Sequence, residues 1–188
     1  MNVRADFGFS GFLNSEYNYT KLTATVNDRV PLGPFGNFEF MLEGGKTFNS
    51  APYPLQFVHA GNESIIRNSD AFNTMNFFEF VSDQYGAVRA EHHFDGLFLN
   101  KIPLFKRLKW REIIGVSAIY GSFSEKNLDE MQLPARTYTF DTRPFMEAYV
   151  GIENIFQFVR VDAVWRLSYL DRPEAQKFAI LIGFDFQF

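Results

Sequence analysis

The end of the chain alternates strictly between large apolar side chains and small or polar ones. A period of two is typical of a β-strand, because successive side chains point to opposite faces of a sheet. One face of this strand is wholly apolar, as expected for a strand that meets lipid and carries its last aromatic ring at the membrane interface. The apolar positions are Phe178, Ile180, Ile182, Phe184, Phe186 and Phe188.

The same alternation recurs along the chain and predicts eight strands. Aromatic residues make up 18% of the chain and include 24 Phe, and pleated sheets accommodate aromatic rings well. No stretch approaches the roughly 18 consecutive apolar residues that are typical of a transmembrane helix. The predicted strands are residues 2–12, 17–27, 37–48, 84–94, 108–122, 144–153, 158–170 and 177–188.

The connections between these strands predict an up-and-down order with two distinct ends. Segments 49–83 and 123–143 are long and fall at one end, together with 171–176. Shorter segments 28–35 and 154–157 fall at the other end, with 96–107 longer than expected there. Outer-membrane barrels combine short periplasmic turns with long outer loops and have an even number of strands. We therefore expect an all-β fold: an antiparallel transmembrane β-barrel of about eight strands forming one domain over residues 1–188.

Alternation alone leaves open which face points inward. A soluble lipocalin-like barrel also alternates, with its apolar face inside and its charges in water. Aromatic crowding on the apolar faces and mixed charges on the polar faces favour the membrane alternative. Because buried charge must be paired, we expect the charges of a polar lumen to neutralise one another. The predicted internal network comprises Arg4, Asp6, Glu39, Glu43, Arg89, Glu91, Arg160, Asp162, Arg166 and Asp185.

Catalytic and cofactor signals are weak. The histidines are His59, His92 and His93, and the adjacent pair would point to opposite faces of a strand. The chain has no cysteine and no nucleophile-elbow, phosphate-loop or HExxH motif, so we expect no enzyme activity, cofactor or metal. A net charge of −4 argues against a nucleic-acid partner. The apolar and basic segment 96–110 fits either contact with anionic head groups or an ordinary periplasmic turn.

Two runs and the terminal strand resemble a known family. The runs are residues 94–112 (FDGLFLNKIPLFKRLKWRE) and 149–170 (YVGIENIFQFVRVDAVWRLSYL). They are similar to the C-terminus of an uncharacterised outer-membrane family of Bacteroidota, whose members carry an N-terminal carboxypeptidase-regulatory-like domain and a long barrel. The likeness covers the last half of the chain well and the first half more loosely. It implies that the chain is a C-terminal fragment, so its eight strands either close alone or belong to a larger barrel.

The resemblance also implies partners and a location. In such proteins the C-terminal strand ending in Phe is read by the barrel-assembly machinery, a role that would fall here to Ile182, Phe184, Phe186 and Phe188. The expected partners are this machinery and outer-membrane lipids. The sequence thus predicts a non-enzymatic outer-membrane barrel with a structural, transport or surface-interaction role. The alternatives are an outer-membrane enzyme acting on lipid and a soluble ligand-binding barrel.

Overall fold

The computed structural model describes residues 1–10, 18–49, 51–124, 127 and 133–184. Within these ranges no helix is both long enough and apolar enough to cross a membrane. The described chain is dominated by ten β-strands: β1 (Asn2–Gly8), β2 (Tyr19–Pro31), β3 (Asn37–Phe48), β4 (Phe57–Val58), β5 (Val81–Ser82), β6 (Gln84–His93), β7 (Arg111–Ser122), β8 (Phe145–Ile155), β9 (Val159–Arg166) and β10 (Phe178–Phe184).

Helical structure in the described ranges is short and lies in the connections. The α-helix α1 (Pro103–Leu108) begins with proline, whose fixed φ suits the first helical turn. It ends at Lys109, which adopts a left-handed conformation with φ of 57°. The 3-10 helices are Gly33–Phe35, Tyr53–Leu55 and Leu99–Lys101.

Eight of the strands form one antiparallel sheet in the order β1-β2-β3-β6-β7-β8-β9-β10. Sequence neighbours pair throughout, except that β3 pairs with β6 across the 49–83 connection. Strands β4 and β5 form a separate two-stranded sheet within that connection. The predicted all-β, antiparallel architecture with eight strands is therefore confirmed. In the described residues β1 and β10 are the two edges and do not pair with each other, so closure into a barrel is not observed.

The two faces of the eight-stranded sheet differ sharply in burial. On β9, Arg160, Asp162 and Arg166 are buried, whereas Trp165 on the opposite face is 42% exposed. On β10 the alternation is complete, with Ala179, Leu181 and Gly183 buried and the Phe and Ile positions exposed. We call the face that carries Arg160 and Leu181 the covered face, and the face that carries Trp165 and Ile180 the exposed face.

The connection between β3 and β6 packs against the covered face. Its residues Phe72, Met75 and Phe80 join Phe145 and Tyr169 in the main apolar cluster. Phe80 stacks on Phe140, with ring centroids 4.5 Å apart and an interplanar angle of 15°. The core therefore lies between the sheet and its longest connection.

The connection also reaches the edge of the sheet. Ile182 of β10 donates its N–H to the carbonyl of Ile65 and accepts the N–H of Arg67, both at 2.9 Å. These bonds make a parallel bridge between Ile66 and Ile182. Part of the outer edge of β10 is thus occupied by residues 65–67.

Several strand boundaries differ from the predicted ones. The predicted 108–122 strand begins only at Arg111, because Leu108 ends helix α1. The predicted 158–170 strand ends at Arg166, and the backbone turns at Tyr169, which has a φ of 54°. Strand β2 extends to Pro31, beyond the predicted end at residue 27. The predicted first strand exceeds β1, and its residues 11–12 lie outside the described chain.

Candidate functional site: a buried charge cluster

Glu91 is the centre of a buried ion-pair cluster on the covered face. Its two carboxylate oxygens accept hydrogen bonds from Arg160 Nη1 and Nη2 at 2.9 and 2.7 Å. Arg160 also contacts both oxygens of Asp162 through Nε, at 2.8 and 2.9 Å. Two-pronged pairs of this kind are the strongest arginine–carboxylate contacts. Arg160, at position 2 of β9, thus links its own strand to β6.

A second arginine enters the cluster from the β3–β6 connection. Arg67 Nη2 lies 2.9 Å from Glu91 Oε2, and Arg67 Nε lies 2.8 Å from Asp162 Oδ2. Tyr149 of β8 donates its hydroxyl to Glu91 Oε2 at 2.7 Å. The guanidinium carbons of Arg67 and Arg160 lie 5.5 and 5.6 Å from the centre of the Tyr149 ring, within cation–π range.

A histidine extends the cluster towards two more carboxylates. His93 Nδ1 lies 2.9 Å from Glu153 Oε2, and His93 Nε2 lies 2.9 Å from Glu91 Oε1 and 3.8 Å from Glu39 Oε1. Glu39 in turn pairs with Arg29 at 3.3 Å on the more exposed side. We name this set the Glu91 cluster. It consists of Arg29, Glu39, Arg67, Glu91, His93, Tyr149, Glu153, Arg160 and Asp162.

A polar cavity of about 350 Å³ adjoins the cluster. Its lining includes Glu39, Glu91 and His93, together with Arg29 and Arg160. The inner part of the cluster, around Glu91, Arg160 and Asp162, is therefore buried by the fold yet borders an open space. Four carboxylates, three guanidiniums and the imidazole of His93 meet here.

The close packing of the cluster explains one glycine. Gly151 faces Asp162 across the β8–β9 pair. A Cβ at position 151 would collide with Asp162 Oδ1 and would lie 2.9 Å from the carbonyl oxygen of Val161. Glycine at this position lets the Asp162 carboxylate lie flat against the neighbouring strand.

A second buried group fixes the β3–β6 connection at the other end of the sheet. Arg166 donates from Nη2 and Nη1 to the two oxygens of Glu79, at 2.6 and 3.0 Å. Glu147 of β8 is fully buried. It accepts the backbone N–H of Asn73 at 3.0 Å, and both the N–H and the hydroxyl of Thr74 at 2.8 Å.

His59 belongs to the same end and is buried in an aromatic setting. Its Nε2 lies 2.8 Å from the Ser82 hydroxyl, and its ring makes an edge contact with Tyr85 at 4.8 Å between centroids. Burial lowers the pKa of His59 to about 3, and the positive charges of Lys21 and Arg89 act in the same direction. The imidazole is therefore neutral at physiological pH.

A larger cavity of about 570 Å³ lies among the loops at this end. Arg172 forms part of its wall, between the Tyr138 ring at 3.9 Å and the Phe80 ring at 4.5 Å. Burial lowers the pKa of Arg172, opposed mainly by the charge of Glu79. Cation–π contacts with these rings and an ion pair with Glu79 at 3.7 Å hold Arg172 in this position.

The predicted charge network is distributed over several places. Glu91, Arg160 and Asp162 lie together, and Glu39 borders them through His93. Arg166 lies in the separate group with Glu79. Arg89 donates to the carbonyl of Asp70 at 3.1 Å. Glu43 accepts the hydroxyl of Tyr85 at 2.7 Å.

The remaining predicted positions lie at the margins. Arg4 and Asp6 pair with each other at 3.0 Å on β1, where the Arg4 side chain is 74% exposed. Asp185 lies outside the described residues, as do Phe186 and Phe188 of the predicted assembly signal. Ile182 and Phe184 are on the exposed face of β10.

Sequence reasoning did not include Arg67, Glu153 or Tyr149 in the network. Tyr149 and Glu153 lie at alternate positions of β8, on the same face as Glu147. The alternation along β8 could therefore have indicated both residues as members of the network. Arg67 lies in a segment without periodicity, and nothing local marks it as a partner of Glu91. Its role arises only when the connection docks on the sheet.

The fold and the site define an all-β protein: an eight-stranded antiparallel sheet with a buried charge cluster under its longest connection. Residues 1–130 match the family model for the C-terminal domain of a family of unknown function (DUF5686). The chain therefore belongs to that family. The match includes the run 94–112 and ends before the run 149–170. No curated protein matches the chain.

Proposed function

We propose that the chain is an integral outer-membrane β-barrel protein, or the C-terminal part of a larger barrel, with a non-enzymatic role. The observation that carries this proposal is the inverted polarity of the sheet. Val150, Phe184 and Ile180 on the exposed face are 49%, 56% and 61% exposed, whereas Glu147 and Asp162 on the covered face are 0% and 1% exposed. Apolar residues outside and paired charges inside are typical of barrels that face lipid.

The energetics support the same proposal. Leaving a large apolar side chain in water forgoes about 1.5–3 kcal/mol of burial free energy. Buried charges are tolerated only when they are paired and hydrogen-bonded. A surface in water gains nothing from placing Trp165 outside and Arg160 inside. A surface in hydrocarbon gains from both placements.

The filling of the covered face favours a structural or surface-interaction role over an open channel. The Glu91 cluster occupies one end, and the β3–β6 connection packs its aromatic residues over the other. Eight strands enclose little more than their own side chains even when they close into a barrel. A solute path would therefore need additional strands or displacement of this connection.

The family resemblance supplies the finer part of the proposal. We include in it an origin in Bacteroidota, an upstream carboxypeptidase-regulatory-like domain, and insertion by the barrel-assembly machinery. Outer-membrane lipids would be the permanent partners of the exposed face. The exposed row on β10, which includes Phe178 and Phe184, would contribute to both insertion and lipid contact.

The test uses one exposed-face position and one matched position outside the strands. Val150→Arg places a charge in the middle of β8, and Phe156→Arg places one in the turn that follows it, where the ring is 79% exposed. In a lipid-facing barrel the first change should reduce the folding free energy by about 2–4 kcal/mol, and the second should change it little. Urea titration in lipid vesicles, with heat-modifiable migration on gels as the folding readout, measures both.

Three results would reject the proposal. The full chain staying folded and monodisperse without detergent would favour the soluble barrel. Equal effects of Val150→Arg and Phe156→Arg would mean that the exposed face meets water. Detergent-dependent folding combined with lipid hydrolysis that survives repeated purification would favour the enzyme alternative.

A further inference from the structure

We infer that His93, Glu91 and Glu39 form a binding site for one divalent transition-metal cation, with Zn²⁺ as the representative ion. The ligand atoms are His93 Nε2, Glu91 Oε1 and Glu39 Oε1, and one ligand atom from each residue lies within 4.8 Å of the others. The two separations from Nε2 are 2.9 and 3.8 Å. Tetrahedral Zn²⁺ with bonds of about 2.1 Å has ligand atoms about 3.4 Å apart, which lies between these two values.

The strand register brings two carboxylates together at this point. Glu39 and Glu91 are direct partners in the β3–β6 pair, so two carboxylates face each other on the same side of the sheet. Like charges in directly opposed positions are destabilising. A cation between them would add to the neutralisation that Arg29 and Arg160 provide. His93 lies two residues from Glu91 on the same face.

Two of the proposed ligand atoms, Glu91 Oε1 and His93 Nε2, can each take a further partner. Among the described residues, Glu91 Oε2 accepts hydrogen bonds from Arg160, Arg67 and Tyr149, whereas Glu91 Oε1 accepts one only from Arg160 Nη1. His93 Nε2 is buried and has no well-aligned hydrogen-bond partner in the part of the chain that the structure describes, although Glu91 Oε1 lies 2.9 Å away. The short separation therefore lacks hydrogen-bond alignment. The His93 side chain is only 8% exposed, and Nε2 points at the two carboxylates.

The other nitrogen of His93 is oriented as in metal sites. Nδ1 lies 2.9 Å from Glu153 Oε2, and Glu153 is itself 3% exposed at its side chain. Histidines that bind metals commonly donate their second ring N–H to a carboxylate, which fixes the ring and increases its basicity. This contact leaves Nε2 as the atom available for a metal.

The donor set and the cavity indicate the class of ion. One imidazole and two carboxylates suit Zn²⁺ and its first-row neighbours, whereas Mg²⁺ and Ca²⁺ prefer oxygen donors alone. The adjoining cavity of about 350 Å³ provides room for water as a further ligand.

The site depends on the register of β3 and β6 and not on where the protein resides. It goes beyond the proposed function, because an outer-membrane barrel needs no metal. A failure to bind metal would leave the membrane proposal intact. A failure to insert into lipid would likewise leave the metal site open to measurement in any folded preparation.

The experiment titrates Zn²⁺ into metal-free, folded full-length protein by calorimetry and repeats the titration with Co²⁺ while its visible absorption is recorded. We expect one ion per chain and Co²⁺ bands of a nitrogen- and oxygen-ligated site. His93→Gln and Glu39→Gln should each weaken binding by at least about 100-fold, since even second-shell losses cost 10–100-fold. Glu153→Gln should weaken binding by about 10–100-fold.

Two controls come from the same strands. His92 is the adjacent histidine, but it faces the other side of β6 and contacts the carbonyl of Phe35, so His92→Gln should bind normally. Glu43 lies on the same face of β3 as Glu39 but contacts Tyr85, so Glu43→Gln should also bind normally. Glu39 is 40% exposed at its side chain, so Glu39→Gln should fold even if His93→Gln does not.

The inference is overturned if the folded protein binds no Zn²⁺. It is also overturned if folded Glu39→Gln binds as tightly as the parent protein, or if His92→Gln loses the ion. Weakened binding in the His93, Glu39 and Glu153 variants, with both controls unchanged, would support it.

Discussion

Replacing Glu147 by alanine tests whether the β3–β6 connection is held on the sheet by one buried carboxylate. Glu147 accepts three hydrogen bonds of 2.8–3.0 Å from Asn73 and Thr74, and Thr74 is also fully buried. Removing the acceptor leaves two backbone N–H groups and a hydroxyl unpaired. Each unpaired group costs about 1–3 kcal/mol. Because the connection can relax in part, we expect Glu147→Ala to reduce the unfolding free energy by about 3–5 kcal/mol.

Two further variants calibrate that value. Glu147→Gln keeps one acceptor oxygen and should cost less, about 1–3 kcal/mol. Glu63→Ala removes a single contact to the N–H of Phe77 at 3.1 Å in an exposed part of the same connection. This control should change stability by less than about 0.5 kcal/mol.

The assay combines urea unfolding in detergent with limited trypsin digestion. Cleavage after Arg67 reports local release of the connection, because Arg67 is held by Glu91 and Asp162 in the folded protein. A loss of 3–5 kcal/mol confined to the connection would raise the cleavage rate by more than about 100-fold, at 1.4 kcal/mol per factor of ten. Unchanged cleavage and an unfolding free energy within 0.5 kcal/mol of the parent protein would refute the reasoning.

Two other outcomes follow from the geometry. Gly151→Ala should destabilise the protein by about 1–3 kcal/mol in urea titrations, because the new methyl meets Asp162. Gly86→Ala is the control, because a Cβ at position 86 meets no atom of the described residues within 4 Å. Equal effects of the two changes would contradict this account. The neutral His59 should make stability depend on pH, because its folded-state pKa of about 3 lies below the unfolded value of about 6.5. Stability should be complete above pH 6.5 and fall by about 1.4 kcal/mol per pH unit between 6.5 and 3, since the unfolded chain then binds the extra proton. Unfolding measured at pH 7, 5 and 4 should show that His59→Gln removes this dependence of stability on pH and that His92→Gln keeps it. A dependence that persists in His59→Gln would assign it to other groups.

The strands were predictable wherever alternation continued through the whole element. β9 and β10 have an apolar residue at every second position, and the structure places the two sets on opposite faces. The prediction extended β9 too far because Leu167 and Tyr169 continue the alternation, although the strand ends at Arg166 and the backbone turns at Tyr169. The period of the side-chain pattern indicates which residues share a face of a strand. It does not indicate the backbone conformation of a single residue such as Tyr169.

Helix α1 and the contacts of Arg67 could not be predicted by the same reasoning. Six residues are too few to establish a helical period, and the sequence around α1 mixes apolar and basic residues without a clear face. The Arg67–Glu91 and Arg67–Asp162 contacts join residues 24 and 95 positions apart in the chain. Only the docked tertiary structure brings them together, because no local preference couples such distant positions.

The bridge between residues 65–67 and Ile182 connects the sheet edge to the charge cluster. Any strand that pairs along the whole of β10 must first take over the N–H and C=O of Ile182, which now bond to Ile65 and Arg67. Moving that segment away would also withdraw the Arg67 side chain from Glu91 and Asp162. The edge and the cluster are therefore mechanically coupled: a partner strand added at β10 would alter the charge balance in the interior of the protein, some distance from where it binds.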